Sequence, residues 1–276
     1  MKRHLTLSVG WARILRHMDL NKVWKKLLGG ALVVAVVFGA LGFVVGAMWS
    51  KLKTLGQAPQ LQAQQQQAAA PKIDIKTIKG LWGKNIIKFG DAGEKNLLVE
   101  VADPSCPYCH VAAGLNPELS SQIGPQFKLV TDGGTYVAPV LEMKKLVDSG
   151  KAAFVWIYTS GHGNGEMGTK AMYCAYDQGK FWEVHDKLMT NKGYALLNDT
   201  VKNDKSKSQE LAEFLKGAAD TGKLKECLDS GKYNTRIAED SKLASSLGVS
   251  GTPGFFVNDT NFAGAYSWTD MKSALK

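Results

Sequence analysis

Two long apolar runs predict buried strands. Residues 96–102, NLLVEVA, contain a single acid, Glu100, and residues 153–159, AFVWIYT, contain no charge. Their length and their content of β-branched and aromatic residues favour strands over helices. Shorter strand-like runs are predicted at 73–78, 86–89, 254–258 and 262–266.

The stretches between these runs predict helices. One extends from Cys106 to about Gln122, with a kink where Pro117 removes a backbone donor. Further helices are predicted at 141–148, within 169–247 and at 268–275. A βα unit, a helical block and a terminal ββα unit together predict an α/β domain with a central sheet and a helical insertion.

An apolar segment near the N-terminus predicts a membrane anchor. Residues 27–50 contain no charge, and a helix of this length spans about 36 Å, enough to cross a bilayer. The alternative, a cleaved signal peptide, requires an apolar region of only about 7 to 15 residues and a small-residue cleavage site. The excess of basic residues before the segment places the N-terminus in the cytoplasm. We therefore expect a single-pass protein of the inner, cytoplasmic membrane with its C-terminal domain in the periplasm.

The charge distribution agrees with this topology and argues against nucleic-acid binding. Residues 1–53 carry nine basic residues and one acid, whereas the other 223 residues carry 25 basic and 24 acidic side chains. A nucleic-acid footprint needs a basic face on the folded domain itself. The formal charge of +9 therefore lies almost entirely in the residues that flank the membrane segment.

Composition divides the chain into four segments. Residues 1–26 form a basic cytoplasmic tail, 27–50 the transmembrane signal anchor, 51–71 a tether and 72–276 the folded domain. Seven of the eleven residues at 57–67 are Gln, a composition that cannot bury a core. Both a flexible coil and a helical stalk are compatible with the tether.

The candidate chemistry is the motif Cys106-Pro107-Tyr108-Cys109, which lies where a strand leads into a helix. Free backbone N–H groups and the helix dipole at that position stabilise a thiolate on Cys106. Cys106 is then expected to be the exposed attacking or leaving group. Cys109, one turn further on, is expected to be more buried and to act as the resolving thiol. A zinc site would need a second close pair of ligands, and structural disulfides seldom close so small a loop. We expect no metal and no cofactor.

Three features together resemble the DsbA-like disulfide oxidoreductases over residues 80–276. They are Glu100 six positions before Cys106, the Cys-Pro-Tyr-Cys helix start, and the late run GTPGFFV at 251–257. The stretch AMYCAYDQGKFWEVHDKL at 171–188 also resembles the helical insertion of that family. The resemblance implies a thioredoxin-like fold with an inserted helical subdomain at about 166–245.

The resemblance also implies roles for individual residues. Glu100 is expected to be a buried carboxylate that exchanges protons with Cys109. Pro253 is expected to be cis and to face the cysteines, so that the backbone of Thr252 can pair with a substrate strand. Pro107 and Tyr108 are expected to contact substrate as well.

Cys174 and Cys227 are expected to form a structural disulfide across the insertion, as exported proteins permit. Two buried free thiols are the alternative. Of the histidines, His110 can help to keep the Cys106 thiolate, but a place on the helix surface is favoured. His162 and His185 are interpreted as surface and packing residues.

The expected function is therefore oxidation of cysteine pairs in exported proteins, followed by reoxidation through a DsbB-like integral membrane partner. An isomerase or reductase of the DsbG or DsbC type, served by a DsbD-like partner, is the first alternative, because Pro-Tyr between the cysteines and Thr252 before Pro253 also resemble those relatives. A non-catalytic folding or scaffold component of an envelope machine is the second alternative.

Overall fold

The two most apolar runs form the centre of a five-stranded sheet in the computed structural model, which describes residues 73–276. The strands are β1 (Ile87–Phe89), β2 (Leu97–Ala102), β3 (Ala153–Tyr158), β4 (Gly254–Val257) and β5 (Thr260–Ala263). Their order across the sheet is β1-β3-β2-β4-β5. The predicted α/β class is therefore confirmed.

The sheet mixes parallel and antiparallel pairs. β2 and β3 run parallel, whereas β1 pairs with β3, β4 with β2 and β5 with β4 in antiparallel fashion. Every residue of β2 and β3 is buried. Both faces of the two central strands are covered, so these strands are apolar throughout rather than alternating.

Helices cover both faces of the sheet. They are α1 (Ile75–Gly80), α2 (Pro107–Ala113), α3 (Pro117–Ile123), α4 (Pro139–Asp148), α5 (Glu166–Tyr176), α6 (Phe181–Leu188), α7 (Asn191–Ala195), α8 (Ser208–Phe214), α9 (Thr221–Ser230), α10 (Asn234–Ser246) and α11 (Trp268–Met271). A π-helical turn, Leu196–Val201, follows α7, and 3₁₀ turns lie at Leu81–Gly83, Pro125–Phe127, Val130–Asp132, Lys205–Lys207 and Lys272–Ala274. Along the sequence, helices α5 to α10 lie between β3 and β4.

The disulfide between Cys174 and Cys227 joins α5 to α9 across 53 residues of sequence. The predicted pairing of these cysteines is confirmed. Cys174 is buried at 2% exposure, so the crosslink lies against the core of the helical insertion. On the chain-entropy account, closing a loop of this size stabilises the fold by about 4 kcal/mol.

Alternation along β2 divides the core into two layers. Leu98 and Ala102 pack with the helical insertion on one face, and Val99 and Val101 pack with α1 and α10 on the other. Glu100 shares the parity of Leu98, because successive side chains of a strand point to opposite faces. The acid therefore points toward the face that carries the insertion.

Three predicted elements differ from the structure. The run 73–78 is not a strand: Asp74 accepts a hydrogen bond from Lys76 N at 2.9 Å and begins α1. The predicted long helix after Cys106 is two helices, because Gly114 ends α2 with a left-handed φ of 73°. The last strand begins at Thr260 rather than at 262, since Asn258 turns the chain with a φ of 56°.

No helix within residues 73–276 is long and apolar enough to cross a membrane. The predicted tail at 1–26, the anchor at 27–50 and the tether at 51–71 lie outside the described residues. They stay predictions.

Candidate active site

The two motif cysteines lie at the start of α2, at the end of a loop that leaves β2. Cys106 is the N-cap residue and Pro107 is the first helical residue. Proline suits that position because its missing N–H would have no partner in the helix. Both sulfurs are free thiols, so the site is in its dithiol form. The predicted placement at a strand-to-helix junction is confirmed.

The two cysteines differ less in exposure than expected. Cys106 is only 4% exposed and Cys109 is fully buried, whereas Tyr108 between them is 46% exposed. The prediction of an exposed Cys106 is wrong in degree, because the carbonyl of Thr252 lies against its sulfur. The order is as predicted, with Cys109 the deeper thiol.

The local environment separates the pKa values of the two thiols. The pKa of Cys106 falls from 9.0 to about 6, chiefly because the Cys109 thiol donates a hydrogen bond to its sulfur. Burial opposes this shift, while the Thr252 side chain and the backbone N–H groups of Tyr108 and Cys109 favour the thiolate. Burial raises the pKa of Cys109 well above 9.0. At neutral pH, Cys106 is therefore the thiolate and Cys109 the thiol.

The loop before β4 brings a distant segment to the redox pair. The Thr252–Pro253 peptide bond is cis, as predicted. Cys106 Sγ lies 3.5 Å from the carbonyl oxygen of Thr252, 146 residues away in sequence. A cavity of about 210 Å³ beside this loop is lined by Gly251, Thr252, Pro253 and Asn261 among others.

Glu100 is fully buried in the middle of β2, as predicted. Neither carboxylate oxygen has a hydrogen-bond partner within the described residues. Burial raises the pKa of Glu100 from 4.5 to about 7, although the nearby His185 lowers it in part. The Glu100 charge in turn raises the pKa of Cys109. The acid therefore changes protonation near neutral pH, within electrostatic reach of the resolving thiol.

Asp103 is a site residue that the sequence analysis did not single out. Its carboxylate is fully buried and accepts four hydrogen bonds. Ser105 N and Ser105 Oγ donate to Oδ1 at 2.8 and 2.7 Å, and Gly161 N and His162 N donate to Oδ2 at 2.7 and 2.9 Å. The backbone N–H of Asp103 also lies 3.4 Å from Cys109 Sγ. Asp103 thus fastens the loop before the motif to the loop after β3.

Two glycines allow these loops to meet. A Cβ atom at Gly161 would overlap the Thr252 hydroxyl, and one at Gly165 would overlap the Asp103 carboxylate. The glycine-rich segment 161–165 is therefore the point where the three loops of the site touch.

His110 is buried, so its predicted place on the helix surface is wrong. Its Nε2 lies 2.9 Å from Pro104 O and its Nδ1 lies 2.9 Å from Met189 O. Burial lowers the pKa of His110 to about 4, and the ring is neutral at pH 7. Met189, just after α6, covers the ring. The sequence could not predict this contact, because the two residues are 79 positions apart.

An aromatic surface lies next to the motif. Tyr108 packs edge-on against Phe127 at 5.8 Å, and Phe127 packs in the same way against Tyr136 at 5.7 Å. Val130 on the same segment is 55% exposed. The segment 127–139, to which the sequence assigned no function, therefore extends apolar surface from the redox pair.

The assembled groups are those that disulfide interchange requires. A stabilised thiolate can attack or leave, a buried thiol can resolve the mixed disulfide, and an acid with a pKa near 7 lies within electrostatic reach of that thiol. The other expected disulfide, between Cys174 and Cys227, is not part of this set. The site is one for thiol–disulfide exchange.

Comparison with known proteins supports the fold. The family profile described as Thioredoxin matches residues 139–276, which include Pro253 but not the Cys-Pro-Tyr-Cys motif. A single-site variant of alpha-DsbA1 from Wolbachia pipientis is 18% identical with a TM-score of 0.52, and the alignment covers 71% of this chain and 92% of that chain. The predicted thioredoxin-like fold is confirmed.

Two further proteins are similar to this chain. BdbD from Bacillus subtilis, in its oxidised form, is 20% identical with a TM-score of 0.49, over 75% of this chain and 95% of that one. The Na(+)/H(+) antiporter NhaA 3 of Salinispora tropica is 28% identical over 181 residues, or 64% of this chain. The chain spans only 22% of the length of that antiporter, and the match does not assign ion transport to it.

Proposed function

We propose that this chain, which belongs to the thioredoxin family, oxidises cysteine pairs in proteins outside the cytoplasm. The observation that carries the proposal is the opposite shift of the two thiol pKa values, with Cys106 at about 6 and Cys109 well above 9.0. A thiol of low pKa is the better leaving group in disulfide exchange. That property favours release of an oxidised substrate from Cys106.

The proposed reaction begins with the Cys106–Cys109 disulfide. A substrate thiolate attacks the Cys106 sulfur, the substrate–Cys106 bond forms, and Cys109 leaves with the electron pair and takes up a proton. The second substrate thiolate then attacks the substrate sulfur and displaces Cys106 as a thiolate. The substrate gains a disulfide and the chain becomes the dithiol.

Thr252 and the aromatic surface are proposed to hold the substrate. The Thr252 carbonyl lies beside Cys106 Sγ and offers a backbone acceptor to an extended chain. Tyr108 and Val130 offer exposed apolar surface nearby, which suits the apolar side chains of an unfolded substrate. Pro107 shapes this surface by fixing the helix start.

The dithiol must be reoxidised before a second turnover. We propose an integral membrane redox partner of DsbB type, which the expected anchor at 27–50 would keep close to the domain. A DsbD-like partner would instead keep the pair reduced, as an isomerase or reductase of DsbG or DsbC type requires.

The lowered Cys106 pKa has a calculable effect on the redox equilibrium. At pH 7 a thiol with a pKa of about 6 is about ten parts thiolate to one part thiol, whereas a thiol at 9.0 is almost wholly protonated. The shift stabilises the dithiol form by about 1.4 kcal/mol, which makes the potential more oxidising by about 30 mV.

The reduction potential of the full chain tests the proposal. The chain is equilibrated in glutathione buffers at pH 7, thiols are trapped by alkylation, and the oxidised fraction of Cys106 and Cys109 is measured by mass. We expect a potential clearly more oxidising than the thioredoxin value of about −270 mV, and a value above about −180 mV would place the chain among the strong oxidants.

A Cys174→Ala/Cys227→Ala variant shows that the measured couple belongs to the motif. A potential near the thioredoxin value of about −270 mV would sink the oxidase proposal in favour of reduction or isomerisation. An unreactive Cys106 would leave only the scaffold alternative.

A further inference from the structure

A buried histidine, His185, lies on the face of the sheet that carries Glu100. Trp156 on β3 is the register partner of Glu100 on β2, so the two side chains share a face. The Trp156 ring lies 6.1 Å from the Phe181 ring of α6, and Phe181 is stacked 5.7 Å from the ring of His185. His185 is 1% exposed, and its ring acts electrostatically on Glu100.

Glu100, Trp156 and His185 all have buried polar atoms without partners. The oxygens Oε1 and Oε2 of Glu100, Nε1 of Trp156 and Nε2 of His185 are buried and form no hydrogen bond within the described residues. Buried polar atoms normally have partners, and ordered water supplies them where protein does not. These unpartnered polar atoms lie in an otherwise apolar core, where ordered water would complete their hydrogen bonds.

The other nitrogen of His185 leads to the surface. Its Nδ1 lies 2.9 Å from Oδ1 of Asp186, whose side chain is 41% exposed. The histidine therefore stands between one carboxylate that is sealed in the core and another that is in contact with solvent. Nothing in the disulfide chemistry at Cys106 itself accounts for this arrangement.

We propose that His185 is a proton-relay residue that connects Glu100 to solvent through Asp186. The proposal rests on the proposed function, because it concerns the proton of the resolving thiol. His185 does not touch the sulfurs and acts only through Glu100.

The proton balance can be followed through one half-reaction. When a substrate thiolate opens the Cys106–Cys109 disulfide, Cys109 leaves as a thiolate and takes the proton of the Glu100 carboxyl group. Because His185 Nε2 and the Glu100 carboxylate are not hydrogen-bonded to each other, ordered water carries the proton from Nε2 to Glu100. His185 then takes up a proton at Nδ1 from the Asp186 side. The reverse transfers release a proton when the dithiol is oxidised again.

Few other titratable groups face this route within the part of the chain that the structure describes. Cys109 of α2 interacts with Glu100, and His110 of α2 interacts with His185. His110 has a pKa of about 4 because of burial and is neutral near pH 7. From α4, Lys144 lies over the Trp182 ring at 5.5 Å, and that ring packs edge-on against His185 at 5.4 Å.

Chemical rescue tests the relay in the full chain. His185→Ala removes a ring held between Phe181 and Trp182 and leaves a space that fits free imidazole. The oxidised chain is mixed with reduced glutathione at pH 7, and formation of the mixed disulfide is followed by acid quench and mass spectrometry. We expect the rate constant to fall by about 100-fold, as for loss of a positioned acid–base group, and added imidazole to restore most of it in a saturable manner.

Leu188→Ala is the matched control. Leu188 is on the same helix, one turn after His185, and is fully buried, so its truncation loosens α6 without removing a proton carrier. Its rate constant is expected not to respond to imidazole.

A folded His185→Ala chain that reacts at the normal rate, or that imidazole does not rescue, would overturn the relay. Where His185→Ala does not fold, His185→Gln decides, because a glutamine cannot carry the proton: a normal rate again rejects the relay, and a loss of about 100-fold supports it. The glutathione rate does not depend on the sign of the reduction potential. The relay and the oxidase proposal can therefore fail separately.

Discussion

Glu100 and Asp103 are two fully buried acids on one short segment, but their hydrogen-bonding environments are opposite. Glu100 lies in the middle of β2, where its neighbours Trp156 and Phe255 on either side belong to paired strands. The backbone amides there are used in the sheet, and none is left for a carboxylate. Asp103 lies just past the strand end, where the loop amides of Ser105, Gly161 and His162 are free to donate.

The difference shows that partners, rather than burial alone, decide what a buried acid does. Without donors, the carboxylate of Glu100 loses its hydration and receives nothing in return, so its pKa rises to about 7. Four donors occupy the oxygens of Asp103 and make it a structural anchor. Glu100 can therefore exchange a proton near neutral pH, and Asp103 holds two loops together.

Removal of the anchor is expected to have the largest effect. Asp103→Ala leaves the donors at Ser105, Gly161 and His162 without their common acceptor. Hydrogen bonds to a charged group contribute about 1.5 to 3 kcal/mol each. In the variant, some of the donors form hydrogen bonds with water instead. We expect the free energy of unfolding to fall by about 3 to 5 kcal/mol, measured by urea denaturation.

Asp132→Ala, at an exposed acid, is the matched control and should change the unfolding free energy by less than about 0.5 kcal/mol. An Asp103→Ala chain that loses less than about 1 kcal/mol would show that the four hydrogen bonds do not stabilise the site as argued.

The second effect concerns pH and Glu100. Its pKa is 4.5 in a solvated chain and about 7 in the folded one, so between these values the folded state binds more protons than the unfolded state. The contribution of Glu100 to stability therefore falls as pH rises from about 4.5 to about 7, by about 3 kcal/mol in total. Below this window the penalty is absent, and above it the full penalty applies. The buried His110, whose pKa is lowered to about 4, contributes with the opposite sign over much of that range.

Glu100→Gln is expected to remove that contribution, because the amide does not ionise, so the unfolding free energy of the variant relative to the parent chain rises by about 3 kcal/mol between about pH 4 and 7.5. Unfolding free energies at about pH 4, 5.5 and 7.5 check this, with Glu226→Gln at an exposed glutamate as the control that keeps the contribution of Glu100. If the Glu100→Gln chain showed the same pH dependence as the parent chain, another group would be responsible for it.

The smallest effect is expected for removal of a single donor to Asp103. Ser105→Ala removes a single side-chain donor, whose Oγ lies 2.7 Å from Asp103 Oδ1 and 3.2 Å from the backbone nitrogen of Asn164. The three backbone donors stay in place. We expect a loss of about 1 to 2 kcal/mol in urea unfolding, clearly less than for Asp103→Ala. Equal losses in the two variants would mean that the hydroxyl, rather than the backbone amides, provides most of the anchor.

Local patterns predicted the parts of the molecule that depend on neighbouring residues. The apolar runs at 96–102 and 153–159 became β2 and β3, and an acid inside such a run had to be buried. The run 73–78 failed because its isoleucines also fit a helix, and the Asp74 cap decided between the two.

Contacts between active-site residues and distant segments were harder to predict. His110 was assigned to the surface because a helix start is usually exposed on one side, yet Met189 covers it from 79 residues away. Asp103 was not singled out from the sequence, since its donors at 161 and 162 give no signal near position 103.

The sequence by itself determined the redox pair, its place at the start of a helix, the burial of Glu100 and the α/β class. Each follows from residue type and spacing within one element, where the physical causes are local. Only the tertiary structure decided that Thr252 lies against Cys106, that Asp103 joins two loops, and that His185 faces the same layer as Glu100. The first two contacts connect residues 146 and 58 positions apart, and packing of the whole sheet and insertion, rather than any local preference, brings such residues together.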